Sequence, residues 1–335
     1  MEASSDNASA SFAQIAEAIS KAASIGILTH RRPDGDAIGS CVALGEALEA
    51  LGKRIFLINA DEVPDSLRFL SGSERFEVAS EISQPYPVDL VIVLDSAGHD
   101  RVGDEAWNAL SNAGLVINID HHISNTRFGD LNYVDAKSPA TGQIIYELIS
   151  DQGWRLTTDG RDALYAAIST DTGSFRYPST TAATYRIAAE LIDEGLDVGG
   201  ISQKLYESYP LRRLFLLRDL LQKMEVRDDG RVVAIKLTLA MAEAVGMRPG
   251  DTEGLIDVIR SVDTVIVAVF FEEMADGKIR VSSRSKSTVV DVGQVCAVFG
   301  GGGHQLAAGT RMRGPIDDAA DRFLTEVSRQ LDGSN

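Results

Sequence analysis

Apolar residues follow two rhythms along the first half of this chain. Short continuous runs rich in Val, Ile and Leu occur at residues 25–29, Arg54–Ile58, Asp89–Leu94 and Leu115–Ile119. They alternate with segments whose apolar positions recur at helical spacing, at 12–24, 37–51, 104–113, 141–152 and 160–169. Continuous runs suit strands of a parallel sheet covered on both faces, and Gly52 offers a stop for the 37–51 helix. The alternation predicts an open α/β sheet with ligands gathering at the carboxyl ends of its strands. Two helical segments, 181–194 and 198–222, follow with no strand between them. Strands at Arg231–Thr238, Thr264–Phe271 and Lys278–Ser283 then mix with helices at 252–260, 291–298 and 316–331, which reads as a second, smaller α/β unit. The expected fold class is therefore two-domain α/β, with a catalytic domain at 12–195, a helical linker at 196–222 and a smaller domain at 223–332. A length of 335 residues fits two domains better than one core.

Composition narrows the function. Lys and Arg number 32 against 49 Asp and Glu, a net charge of −17. That excludes a protein coating long duplex nucleic acid or docking on anionic lipid, both of which need a basic footprint. The two cysteines, Cys41 and Cys296, are too few and too distant for a disulfide framework or a zinc ribbon, and read as buried thiols in a reducing compartment. No apolar run reaches the ~18 residues of a membrane span, and the acidic start Met1-Glu2-Ala3 lacks the pattern of a signal peptide. The expectation is a cytoplasmic protein with a short frayed N-terminal tail.

The five histidines, His30, His99, His121, His122 and His304, all fall at strand ends or in a glycine-rich loop. The first strand runs into His30, with Asp34 and Asp36 in the turn beyond; one imidazole and two carboxylates suit Mn²⁺, Mg²⁺ or Zn²⁺. A blander reading makes Asp36 a helix N-cap and Asp34 a turn residue. Asp95 is the first polar residue after Val91-Ile92-Val93-Leu94, a costly place for a carboxylate unless it is paired or metal-bound. Ile117-Asn118-Ile119 runs into Asp120-His121-His122; adjacent side chains in extended backbone diverge, so His121 and His122 should differ in role. Asp171 ends a helical run beside Gly173. His30, Asp34, Asp36, Asp95, His121 and Asp171 amount to two imidazoles and four carboxylates, enough for two cations ~3.5–4 Å apart that together promote in-line phosphoryl displacement.

These blocks carry a resemblance. His30-x-x-x-Asp34-x-Asp36, Asp95, Asp120-His121-His122 and Asp171-Thr172-Gly173, followed by Gly300-Gly301-Gly302-Gly303-His304 and Ala307-Ala308-Gly309, resemble the DHH/DHHA1 phosphoesterase family over about residues 12–332. The layout is similar to the branch of nanoRNA-degrading oligoribonucleases and pAp phosphatases. The resemblance implies two Mn²⁺ ions, with Mg²⁺ or other divalent cations as substitutes. It places one ion on His30, Asp34, Asp95 and Asp171 and the other on Asp36, Asp95, His121 and Asp171. His122 would contact the scissile phosphate, making His122 and Asp95 the catalytic pair, and Asp120 would orient a histidine. Arg31-Arg32 is where the first block departs from the expected pattern.

In the second half, glycines at 300–303 allow close backbone approach, and successive amides there could form an anion-binding nest. Arg280, Ser282 and Arg284 should share one strand face, with Ser283 on the other. Arg284, Gly301, Gly302, Gly303 and His304 are the candidate substrate residues, with Arg284 and His304 gripping a terminal phosphate. His99 and Arg101, close after Asp95, are weaker candidates for the same cleft. The leading expectation is a two-metal phosphohydrolase that cuts very short RNA to 5′-mononucleotides, removes the 3′-phosphate of pAp, or both. Alternatives are a cyclic or linear dinucleotide phosphodiesterase and a manganese-dependent pyrophosphatase; the glycine-histidine run speaks against the last. The resemblance allows a homodimer.

Overall fold

The computed structural model describes residues 9–333, so the expected N-terminal tail lies outside the described residues. The chain divides into two compact units after Ser208. Both are α/β, as the pattern predicts. Among the described residues no helix is long and apolar enough to cross a membrane.

The first unit is built on a six-stranded sheet in the order Phe76–Val78, Arg54–Asn59, Ser24–Leu28, Leu90–Leu94, Val116–Asp120, Leu131–Val134. Every neighbouring pair in it is parallel. Both central strands, Ser24–Leu28 and Leu90–Leu94, are buried at all five positions, as continuous apolar runs require when helices cover both faces. The chain leaves Ser24–Leu28 toward one edge and returns through Leu90–Leu94 toward the other. The direction of winding therefore reverses between these two strands, and their carboxyl ends are where open α/β sheets place ligands. His30 and Asp95 stand just beyond those two ends.

The structure adds strands that hydrophobic patterning misses. Leu131–Val134 is short and only half-buried, too weak a signal to register. The helix expected at 104–113 stops at Asn108, and Leu110–Ser111 pairs instead with Tyr86–Pro87. The segment expected as a linker is shared between two cores. Leu196, Ile201 and Leu205 pack into the first unit, while Leu216 and Leu220 of helix Leu211–Gln222 pack into the second.

The second unit holds a six-stranded mixed sheet in the order Gly302–His304, Ala307–Arg313, Lys278–Ser285, Val267–Glu273, Val232–Leu237, Glu225–Arg227. Its single parallel pair is Val232–Leu237 with Val267–Glu273. Val269, Phe271, Ile279, Val281 and Met312 face helices Val292–Val298 and Ile316–Asp332. Val233, Ile235, Ala268 and Phe270 face helices Leu211–Gln222 and Leu255–Arg260. Strand Ala307–Arg313 has the sequence Ala-Ala-Gly-Thr-Arg-Met-Arg. It carries almost no β-branched or aromatic residue, so propensity does not reveal it.

Candidate metal centre and phosphate-binding face

Helix termini set the carboxylates of the first unit. Asp34 is the N-cap of helix Gly35–Ala50, accepting from the amides of Asp36 and Ala37, both at 3.1 Å. The cap is thus Asp34 and not Asp36. Asp36 lies inside the first turn, almost fully buried, and caps a different helix. Thr141–Asp151 has no capping side chain of its own. Its first amides, those of Thr141 and Gly142, donate to Asp36 Oδ2 at 2.7 Å and Oδ1 at 2.8 Å. Negative charge is favoured at such a terminus. Gly142 permits the approach: a Cβ there would stand 2.5 Å from the Ala167 methyl and 3.3 Å from Asp36 Oδ1.

Asp95 follows its strand in a left-handed conformation, φ 54°, which is uncommon for a residue with a side chain and marks backbone held by its surroundings. Its Oδ1 accepts from the Thr141 hydroxyl at 3.1 Å. Thr141 therefore touches two of the carboxylates, Asp36 through its amide and Asp95 through its hydroxyl. No local sequence signal marks Thr141, because the link joins a helix start to residues about 46 and 105 positions away.

The histidines converge on these acids. His30 Nδ1 is 2.9 Å from the Arg31 carbonyl and His121 Nδ1 is 3.3 Å from the Ser138 carbonyl. Donation from Nδ1 leaves each Nε2 free to act as a ligand. His30 Nε2 lies 3.3 Å from Asp95 Oδ2 and 3.9 Å from Asp34 Oδ1. His121 Nε2 lies 3.4 Å from Asp171 Oδ2, 3.5 Å from Asp95 Oδ1 and 3.9 Å from Asp36 Oδ2. Most of these spacings are long for hydrogen bonds. They suit atoms sharing a cation that each would approach to about 2.1 Å. Three overlapping donor groups result: His30, Asp34 and Asp95; Asp36, His121 and Asp171; and Asp95, His121 and His122. Asp95 faces His30 through Oδ2 and His121 through Oδ1.

Electrostatics support the same fit. Burial holds the Asp36 carboxyl well above its ordinary range, and the charges of Asp95, Asp171 and Asp34 add to this. Burial pushes Asp171 up to about 7, with His121 pulling against it and Asp34 and Asp95 reinforcing it. Burial also acts on Asp95, but the His30 hydrogen bond and the charges of His30, His121 and His122 outweigh it and hold that carboxyl well below its usual range. Burial disfavours the charged form of His30, yet its bond to Asp95 and the charges of Asp34 and Asp95 hold it at about 9. Crowded acids that favour protonation are what divalent cations would relieve, so the donor set fits a two-cation centre.

The expected divergence of His121 and His122 does not occur, because both lie beyond the strand that ends at Asp120: their rings stand 4.5 Å apart, and each has a nitrogen within 3.7 Å of Asp95 Oδ1. His122 Nδ1 donates to Asp120 Oδ1 at 2.8 Å. Asp120 is fully buried, and its Oδ2 accepts from Asn125 Nδ2 at 2.6 Å; Asn125 also donates to Asn118 Oδ1 at 2.8 Å. Burial works against the charged form of His122, but the Asp120 bond and the charges of Asp95, Asp120 and Asp171 raise it to about 9. These partners favour the charged form of His122 in the metal-free protein, with Nε2–H as a donor. His99 and Arg101 are exposed and stand outside the ligand groups, and Arg31 pairs with Glu105 at 2.7 Å.

In the second unit, His304 pairs with Ala307, and Ala307 with Arg284. Directly opposed residues share a face, so Arg284 and His304 flank Ala307 on one side of the sheet, about 10 Å apart at their backbones. His304 is exposed and Arg284 half-buried. Arg280 and Ser282 alternate onto the same side, while Ser283 is buried and its hydroxyl donates to the Ala308 carbonyl at 3.0 Å. The glycine run is not an open nest along its whole length. The amides of Gly300 and Gly301 donate to the carbonyls of Ala297 and Cys296 at 3.0 and 2.9 Å, finishing helix Val292–Val298. Gly301 serves close packing instead: a Cβ there would lie 2.3 Å from the Gly309 carbonyl oxygen. Gly302 and Gly303 continue into the edge strand that ends at His304.

A family model described as the DHH family, N-terminal domain, matches residues 24–168, and one described as the DHHA1 domain matches 233–333. The bifunctional oligoribonuclease and PAP phosphatase NrnA of Thermus thermophilus is 35% identical over 306 residues, spanning 91% of this chain and 89% of that protein. The protein of the same description from Bacillus subtilis is 31% identical over 308 residues, 90% of this chain and 93% of the other. A crystal structure of an exopolyphosphatase-related protein from Bacteroides fragilis superposes with a TM-score of 0.87 at 26% identity, over 96% of this chain and 97% of that one. With both domains matched in order and full-length relatives at this identity, the chain belongs to the DHH/DHHA1 family of phosphoesterases.

Proposed function

We propose that this protein hydrolyses very short RNA to 5′-mononucleotides and removes the 3′-phosphate of pAp, using two divalent cations, Mn²⁺ by preference. The observation that carries the reading is the convergence of His30, Asp34, Asp36, Asp95, His121 and Asp171 into overlapping donor groups linked by Asp95 and His121. The NrnA proteins that it resembles along nearly its whole length support the choice of substrates. Cations held by these residues would lower the pKa of an attacking water and neutralise charge on the phosphate.

The chain's own groups supply the rest. Asp120 fixes the ring of His122 so that its Nε2–H can donate to a non-bridging phosphate oxygen, an interaction that strengthens as charge develops there. Thr141 holds Asp36 and Asp95 in register. In the second unit Arg284 and His304 would bind a further phosphate of the substrate, and Gly302 and Gly303 keep the backbone around them free of side chains. A net charge of −17 favours substrates with few phosphates over long strands. A cytoplasmic location belongs to the same proposal.

The test is a parallel turnover assay of the Mn²⁺-loaded protein on an RNA dinucleotide, a pentanucleotide, pAp, a cyclic dinucleotide and pyrophosphate. Mononucleotides from the short RNAs and phosphate from pAp, with pyrophosphate untouched, are the expected results. Rapid pyrophosphate cleavage with inert RNA would overturn the reading, and cleavage of the cyclic dinucleotide alone would replace it with that alternative.

A further inference from the structure

His99 is the one histidine of the first unit that the metal centre leaves out. It opens the short helix His99–Val102, four residues beyond Asp95. Its exposed imidazole lies flat on the indole of Trp107, with centroids 4.4 Å apart and planes within 4° of parallel. Phe128 meets both rings edge-on, at 6.1 and 6.2 Å. Trp107 and Phe128 pack against the apolar core beneath, so His99 forms the outermost layer of a backed aromatic stack. The indole N–H donates to the His99 carbonyl at 3.1 Å, which locks the two rings together.

The stack grows from the loops that carry the chemistry. The Arg31 amide, next to His30, donates to the Arg101 carbonyl at 2.8 Å. On the other side the Thr126 amide donates to the Ala97 carbonyl at 2.8 Å, and Asn125 Nδ2 reaches the Ser96 carbonyl at 3.2 Å. Phe128 lies on the same loop as His121 and His122. Segment 96–101 is thus fastened between the loop of His30 and the loop of His122. His99 cannot lie farther than ~14 Å from Asp95 along an extended chain of four residues. A flat ring with one face on an indole and the other toward solvent, fixed beforehand, suits a planar aromatic ligand at little ordering cost.

We propose that the outer face of His99, backed by Trp107, is the stacking platform for the nucleobase adjoining the scissile phosphate. The assignment deepens the nucleotide-hydrolase reading and rests on it. Stacking accepts any base, so the platform gives affinity for nucleotides without sequence preference.

The experiment measures binding of AMP, a product and so not consumed, and of ribose 5-phosphate, which lacks the base, to the Mn²⁺-loaded protein by calorimetry. His99→Ala should weaken AMP about tenfold while moving ribose 5-phosphate less than about twofold, and His99→Phe should restore AMP binding. Equal loss for both ligands, an unchanged AMP affinity, or wild-type protein that binds the two ligands alike would overturn the platform. The two proposals separate cleanly. His99-dependent AMP binding in a protein inert toward RNA and pAp would sustain the platform and sink the hydrolase reading. RNA turnover with AMP binding indifferent to His99 would do the reverse.

Discussion

The metal centre of the first unit and the Arg284–His304 face of the second both present cation-like or cation-binding groups, but they are built on opposite terms. In the first, each side chain is held by something else. Asp34 and Asp36 cap helices, Thr141 spans Asp36 and Asp95, Asp120 fixes His122, and backbone carbonyls set the tautomers of His30 and His121. Burial raises Asp36 and Asp171, and the neighbouring carboxylates outweigh burial to raise His30. In the second, Arg284 is half-buried on the sheet face that also carries Ala268 and Phe270, and His304 is exposed on the edge strand. A buried, over-determined cluster is suited to chemistry, where small displacements are costly. A partly exposed face is suited to affinity, where reach matters more than exact placement.

The sharpest way to break that comparison is Asp95→Ala. Asp95 stands in two of the donor groups, so its loss should lower turnover by at least about a thousandfold and reduce the number of Mn²⁺ ions bound, as read by metal analysis of the purified variant. Activity and metal content near wild type would dissolve the distinction between the regions. His122→Ala should cost about a hundredfold or more in kcat with Mn²⁺ content retained. Asp120→Asn should cost less, because the histidine remains but loses its orienting charge.

Thr141→Val removes the hydroxyl from Asp95 while keeping the backbone amide on Asp36. A loss of about 10–100-fold in Mn²⁺ affinity is expected, with Thr141→Ser restoring most of it. Loss of Mn²⁺ binding should leave the thermal unfolding of the metal-free protein largely unchanged. In the second unit, Arg284→Ala and His304→Ala should raise KM about tenfold for substrates with an extra phosphate and leave the Mn²⁺ stoichiometry intact. Metal loss in either variant would mean the two regions do not divide the work as described. The smallest effect concerns protons. His30 is held at about 9 in the metal-free protein, so it is protonated at pH 7 and must give up that proton to ligate. Asp171, at about 7, is part-protonated there as well. Mn²⁺ affinity should therefore rise from pH 6 toward 9 and level off above, and binding at pH 7 should release protons, measurable in buffers of different ionisation heat.

The two regions also differ in how much of them can be read from sequence. The ligands stand out because a charged residue directly after Val91-Ile92-Val93-Leu94 or Ile117-Asn118-Ile119 breaks an apolar run at a strand mouth, and the sheet geometry gathers such breaks. The same βαβ alternation predicts an open sheet with ligands at its strand ends, while the strand order that sets His30 beside Asp95 comes from the structure. What stays hidden is whatever depends on a distant partner. Asp34 rather than Asp36 caps its helix because Asp36 is drawn to the start of Thr141–Asp151. Thr141 looks like any helix-start threonine until Asp95 lies beside it. The glycine run looks like a free nest until two of its amides are found closing helix Val292–Val298. Strand Ala307–Arg313 exists because Lys278–Ser285 and the edge strand pair with it, and its own residues carry little of that information.

The most direct measurement is a calorimetric titration of the metal-free protein with Mn²⁺, run beside Asp95→Ala. The account predicts two ions per chain in the wild type, bound with proton release at pH 7, and a stoichiometry that falls in the variant. A single ion, or two ions bound equally well without the Asp95 carboxylate, would contradict it.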